Sequence, residues 1–377
     1  MQTEVILFTE TISPYRIPVF NEIAQDLKDR FLVLFLGETE KRRQWKIYKE
    51  KIKFRYEVLP GFLLQKKDSA PHFFNPTVFY KLMKYSPDII VVGGYHYFGY
   101  FLAMLYARLF KRKIILWCES NRYEKRLNYP LKEAYKRWFV RNSTAYIVPG
   151  KASFDYLLSQ GAVTDKIWIA PNAVDNDYFS QACDIHRETK EIFKQSKGYP
   201  NRLILYVGRL IDQKGVLDLL KAFQILSCKQ SDLGLLLIGS GKEKERYKNF
   251  CKTNNLKNVF FEGFIHQEDL PIYYAVSNVF VLPTYSDPWG LVLNEAMASK
   301  LPVISSDAAG AAYDLIINGE NGYIFKRGDI QQLVNYLKDI LGDEKKRISM
   351  GQRSFSIIQD YSPLKCDRGF IKAIREI

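Results

Sequence analysis

The stretch "SDPWGLVLNEAMASKLPVIS", residues 286–305, follows the apolar run "NVFVLPT" and ends within a second one, "LPVISSD". It reads strand, turn, helix, strand, which is the repeating unit of a parallel α/β sheet. An aspartate, a Pro-Trp-Gly turn and a glutamate fall within nine residues, Asp287 to Glu295. A helix that begins near Gly290 offers free N–H groups and the positive end of its dipole, a seat for phosphate oxygens. One turn in, Glu295 can accept hydrogen bonds from a polyol such as ribose. Asp287, on the loop before the helix, can reach hydroxyls on the far side of the phosphates.

The same alternation extends in both directions. Upstream, "TEVILFTE", "FLVLFLG", "PDIIVVGG", "KIILWCES" and "TAYIVPG" are continuous apolar runs separated by helical patterns. Such runs suit parallel strands covered on both faces. A second series starts at "RLILYVGRL" and continues through "LGLLLIGSG", "VFFEGF" and "NGYIF". The expectation is an α/β protein with two Rossmann-like domains facing across a cleft. Residues 1–175 form the first and 176–361 the second, with a C-terminal helix over 362–377 returning to the first. The polar stretch 180–201, "SQACDIHRETKEIFKQSKGYPN", reads as the linker. Tandem sheets of this kind bind ligands outside the carboxyl ends of their strands.

The 377 residues suffice for two cores, and 47% hydrophobic with 25% charged residues excludes a disordered chain. The apolar runs are strand-length, so no membrane span is expected. The N-terminus carries no basic n-region or cleavage site, which points to the cytoplasm. The five cysteines, Cys118, Cys183, Cys228, Cys251 and Cys366, form no CxxC pair and read as small core residues. The net charge of +14 is uneven: residues 1–175 carry 28 basic and 17 acidic side chains (+11), and residues 176–377 carry 27 and 24 (+3). Clusters such as "KRRQWK" (41–46) and "KRK" (111–113) suit an acidic substrate or an anionic membrane surface. They also raise nucleic acid, but no RRM or helix-turn-helix signature accompanies them.

Other candidate positions lie at strand ends. "YVGRLIDQKG" (206–215) brings Gly208, Arg209 and Lys214 to the end of one strand, where a guanidinium fork and a lysine point charge suit a diphosphate and a solvated turn equally well. "LIGSGKEKE" (237–245) supplies Gly239 and Gly241, but Lys244 stands where a dinucleotide fingerprint wants a third glycine, which weakens a dehydrogenase reading. Asp175 and Asp177 in "VDND" have the DxD spacing of some metal sites, but they follow a Pro-Asn turn, whose chemistry explains them better. No metal is expected. His96 and Glu119 follow apolar strands and are candidates for a second site in the first half.

In combination these segments resemble the GT-B glycosyltransferases of the large retaining family four. That family has two acidic residues eight positions apart followed by "EAMAxGxPV"; here Asp287, "WGL", Glu295 and "EAMASKLPVI" fill the pattern, with Asp287 in place of the first glutamate and Lys300 where glycine is common. "YVGRLIDQKG", "LLIGSG", "VFFEGF", "PNAVD" and "NGENGYIF" also resemble the family, and "ISPYRIPVFNEIA" resembles the start of some members. The resemblance implies a retaining transfer of a hexosyl group from a UDP- or GDP-sugar to a glycan or lipid-linked acceptor, in surface polysaccharide or glycolipid assembly, with no cofactor. Arg209, Lys214, Asp287 and Glu295 would be catalytic. Gly208, Gly239, Gly241, Phe264, Trp289, Gly290, Leu291 and Gly310 would line the donor site, and Arg16, His96 and Glu119 would lie on the acceptor side. A nucleotide-sugar epimerase of the same architecture is the alternative, and a basic nucleic-acid-binding protein is a more distant one.

Overall fold

A computed structural model describes residues 4–40, 45–65, 71–123, 130–228 and 232–377. The "KRRQWK" cluster lies largely outside these residues. The chain divides into two compact units. One takes in the described residues up to Arg122, those of 130–173 and Pro363–Ile377; the other takes in Tyr123 and Val174–Ser362.

The first unit is built on a parallel sheet of β1 (Val5–Thr9), β2 (Phe31–Phe35), β3 (Tyr56–Val58), β6 (Ile89–Val92), β7 (Lys113–Trp117), β8 (Ala145–Val148) and β9 (Ile167–Ile169), in the order β3-β2-β1-β6-β7-β8-β9. A separate antiparallel hairpin pairs β4 (Phe62–Leu64) with β5 (His72–Phe74). The strands β1, β2, β6 and β8 are apolar and buried throughout because both faces are covered. Ile6, Phe8, Leu32, Leu34, Ile90 and Val92 enter one core, and their neighbours Val5, Leu7, Phe31, Val33, Ile89 and Val91 enter the other. This is the two-residue period of a pleated strand read out on both sides. The C-terminal helix Pro363–Arg375 closes the second of these cores, with Phe370 edge-on to Trp117 at 5.0 Å between ring centroids.

The second unit holds a parallel sheet of β10 (Arg202–Val207), β11 (Leu233–Ile238), β12 (Val259–Gly263), β13 (Val279–Leu282), β14 (Val303–Ser306) and β15 (Gly322–Phe325), in the order β12-β11-β10-β13-β14-β15. β10 is the pivot: Ile204 pairs with Leu235 on one side and Val279 on the other. The strand order reverses there, which opens a crevice at the carboxyl ends of β10 and β13.

The linker expected over 180–201 is not one. Those residues form the helices Asn176–Glu188 and Lys190–Lys197 inside the second unit. The first buries Asn176, Phe179, Ser180 and Cys183, a helical stripe made mostly of small and polar side chains. Cys183 donates through Sγ to the Pro271 carbonyl and the Ser299 hydroxyl, both at 3.2 Å. The second helix buries Lys194, whose Nζ donates to the Asn201 carbonyl at 2.8 Å.

Candidate functional site

In the second unit the candidate residues all follow strands that run in the same direction, so they gather on one edge of the sheet. Gly208, Arg209 and Lys214 come after β10, Gly239 and Gly241 after β11, and Phe264 after β12. Asp287, Trp289, Gly290 and Leu291 come after β13, and Gly310 after β14. Hydrogen bonds tie these loops to one another. Gly208 N donates to Ile238 O at 2.9 Å, and Leu210 N donates to Ser240 O at 2.8 Å. Gly239 lies so close to this turn that a Cβ there would sit 1.9 Å from the Gly208 carbonyl oxygen, at a φ of +135°. No side chain fits, and the two loops meet as bare backbone. Tyr285 N and Thr284 Oγ1 both donate to Gln213 O, at 2.8 and 3.1 Å, which fastens the loop after β13 to the loop after β10. Asp287 N donates to Ala308 O at 3.1 Å, and Gly310 N donates to Asp287 O at 3.0 Å, which binds in the loop after β14.

One ion pair and one hydrogen-bonded carboxylate result. Lys214 Nζ forms an ion pair with Asp287 Oδ2, and the side chains are 12% and 16% exposed. The lysine assigned to a diphosphate and the carboxylate assigned to hydroxyls beyond it are therefore in contact. Glu295 lies on the helix Leu291–Ala298 with no accessible surface. The Tyr274 hydroxyl donates to its Oε2 at 2.6 Å. A carboxylate has about four acceptor positions, so one hydroxyl does not saturate it. Trp289 is buried, and its indole N–H donates to Asn294 Oδ1 at 3.0 Å, which fixes the approach to the helix. Gly290 precedes the first turn at φ +99°, where a Cβ would also press on Leu282. Arg209 is exposed, while its carbonyl accepts from the buried Tyr206 hydroxyl at 2.9 Å. Phe264 is exposed and edge-on to His266 at 5.0 Å.

Sequence reasoning missed three supports of this edge. Tyr274 comes from "DLPIYYAVS", a segment that carries no site signature of its own. Thr284 is fully buried and bridges to Gln213 and to the Ser286 carbonyl. The Tyr285 hydroxyl donates to Asp218, which together with burial pushes the phenol up to about 12. Lys300 sits at φ +58°, the left-handed conformation that explains why glycine is common at this place in the resembling family. Its Nζ pairs with Asp184 at 2.7 Å.

In the first unit, Arg16 and Glu119 are brought together: Nη2 to Oε1 is 2.8 Å, and the guanidinium lies 3.8 Å above the Trp117 ring. Asn172 Nδ2, from the "PNAVD" turn, donates to the same carboxylate oxygen at 2.8 Å. His96 pairs instead with Glu10, Nε2 to Oε1 at 3.2 Å. Tyr100, its ring 6.2 Å from that of His96, is wholly buried, and its hydroxyl titrates well above its usual range because of burial, with Glu10 adding to the effect. Neither Asn172 nor Glu10 was legible as a partner from the sequence.

Asp175 caps the helix Asn176–Glu188 by accepting from Tyr178 N at 2.9 Å, and Asp177 lies in the first turn of that helix. Among the described residues, no group of three His, Cys, Asp or Glu side chains is placed to hold a metal ion. No helix among them is long and apolar enough to cross a membrane.

Comparison with known proteins gives this arrangement a family. The model for glycosyl transferases group 1 matches residues 188–356, and that for glycosyltransferase family 4 matches residues 31–178. An uncharacterized glycosyltransferase of Haemophilus influenzae is 32% identical over 162 residues, 43% of this chain and 45% of that protein. The capsular polysaccharide biosynthesis glycosyltransferase CapM of Staphylococcus aureus is 33% identical over 154 residues, 40% of each chain. The matches thus span about half the length of these curated relatives, or less. Among solved structures, HepE of Anabaena in complex with UDP and glucose superposes with a TM-score of 0.76 at 18% identity, covering 100% of both chains. At that identity the likeness is one of fold, the GT-B fold of two parallel-sheet α/β domains. The chain thus carries a glycosyltransferase family 4 domain over residues 31–178 and a glycosyl transferases group 1 domain over residues 188–356.

Proposed function

We propose that this protein transfers a hexosyl group from a nucleoside-diphosphate sugar to a glycan or lipid-linked acceptor, with retention of configuration. The observation that carries the reading is the Lys214–Asp287 ion pair, because it couples a cation suited to a diphosphate to a carboxylate suited to a sugar hydroxyl. In the donor complex, Arg209 and Lys214 offset the charge that develops on the leaving diphosphate, an electrostatic contribution that is often the largest in transfer reactions. The first-turn amides after Gly290 receive phosphate oxygens. Asp287 and the amides of Trp289, Gly290 and Leu291 hold the transferred sugar, Glu295 the ribose and Phe264 the base. The glycines at 208, 239, 241 and 310 let the ligand approach the backbone. The leaving phosphate oxygen takes the acceptor proton on the same face, so no metal and no protein nucleophile is required.

UDP is the favoured nucleotide, since HepE, similar in fold, was solved with UDP and with UDP-glucose. CapM is named for capsular polysaccharide biosynthesis, which supports a surface-glycan acceptor. Arg16, His96 and Glu119 are assigned to the acceptor side. The excess of cations in the first half supports an acidic acceptor, or one held at an anionic membrane surface. The test is release of nucleotide from a panel of UDP- and GDP-sugars, with and without glycan acceptors, and NMR of the product's anomeric carbon. The reading expects acceptor-dependent release and a retained anomer. An altered free sugar without acceptor would favour an epimerase, and an inverted product would rule out attack on the same face.

A further inference from the structure

The helix Phe98–Leu109 contradicts the usual pattern of a surface helix. Tyr100, Met104 and Tyr106 face the core, yet the opposite side exposes Phe98, Phe101, Leu105 and Leu109, with Arg108 as the only charge. A helix apolar all round is normally buried all round. The adjoining hairpin does the same. Phe62 is 71% exposed, Leu64 67% and Phe74 42%. Phe62 stands opposite Phe74, and side chains alternate along a strand, so all three share one face. The two elements form one surface: Phe74 stacks on Phe98 at 4.9 Å, Phe98 lies 6.4 Å from Phe101, and Phe101 lies 6.3 Å from Trp138. A contiguous apolar face of this kind marks an interaction site.

Charge selects the partner. Residues 98–113 contain four cations and no acid; Arg112 pairs with Asp88 and Lys113 donates to the Ile377 carbonyl oxygen, so Arg108 and Lys111 supply the local positive charge. Lys132 and Arg137 are exposed on the helix Pro130–Asn142, which also carries Trp138. A second copy of this chain would bring like charges together. A bilayer with anionic headgroups supplies both the opposite charge and an apolar layer beneath it.

We propose that the hairpin β4–β5 and the outer side of the helix Phe98–Leu109 form a membrane-docking face, inserting Phe62, Leu64, Phe74 and Phe98 into the interfacial layer of an anionic bilayer. The inference deepens the membrane-surface reading above and rests on it. It is tested on the full chain by co-sedimentation with phosphatidylcholine vesicles, with and without phosphatidylglycerol. The proteins compared are wild type, Phe62→Ser/Leu64→Ser and Phe98→Ser. Thermal midpoints verify folding, UDP binding verifies the donor site, and light scattering reports self-association. The expected result is binding to the anionic vesicles that weakens about tenfold or more in each variant, with UDP binding retained. Equal binding by all three would overturn the docking face while leaving the membrane reading intact. Failure of wild type to bind either vesicle would remove both. A dimer abolished by the variants, without vesicle binding, would assign the face to a second copy instead.

Discussion

Tyr274 donates a hydrogen bond to Glu295 at 2.6 Å, and neither side chain has accessible surface. They come from the helices that precede and follow β13 along the chain, 21 residues apart in sequence. The bond holds the carboxylate where the helix Leu291–Ala298 leaves the ligand edge. Tyr274→Phe removes only the hydroxyl, so the cost should be that of a buried acceptor losing its donor, about 1–3 kcal/mol. Urea unfolding measures this, and UDP affinity should fall with it.

Lys214 and Asp287 give a prediction that separates chemistry from stability. Lys214→Met should lower turnover by about 10²–10³, as expected for loss of one charge-stabilising group. It should also destabilise the protein, because Asp287 keeps its charge and loses this partner. Adding Asp287→Asn removes the stranded charge. The double variant should therefore recover stability in urea without recovering turnover.

Glu119 accepts from both Arg16 and Asn172. Glu119→Gln preserves shape and weakens both bonds. On the proposed acceptor assignment, the KM for acceptor should rise while UDP binding, measured by calorimetry, stays unchanged. A loss of UDP binding would reassign the cluster.

The sequence made the strands and the strand-end positions legible because apolar runs and glycines record burial and close backbone approach locally. The glycine at 239 is an example: its neighbour across the sheet, Gly208, also ends a strand. The helices at 176–197 escaped because their buried stripe is built from Asn176, Ser180, Cys183 and Lys194, mostly residue types that usually mark solvent. Burial lowers the pKa of Lys194, and nothing in its local sequence announces this. Tyr274 with Glu295, and Asn172 with Glu119, are pairings made by topology. Glu295 and Glu119 were visible by themselves, but their partners were not.

Asp367 predicts a pH dependence. It is buried on the C-terminal helix, facing Asp26 and Glu22, with Arg368 and Arg375 nearby. Burial pushes its carboxyl up to about 7, and the two acids add to this. The folded protein then binds a proton that the unfolded chain, with an ordinary aspartate near pH 4, releases. Stability should fall as pH rises from about 4 to about 7 and level off above that. Asp367→Asn should remove this fall and stabilise the protein at pH 8, as thermal midpoints across the range will report.

The central claim is that the second unit seats a nucleoside diphosphate on the loops after β10 and β13. Calorimetric titration of UDP and GDP into wild type, Arg209→Ala and Glu295→Gln tests it most directly. Arg209 is exposed and Glu295→Gln is isosteric, so both variants should fold. The account predicts that UDP binds wild type and that each variant weakens it at least about tenfold, one lost charge-assisted contact. Binding unchanged in both variants, or no binding of either nucleotide to wild type, would contradict it.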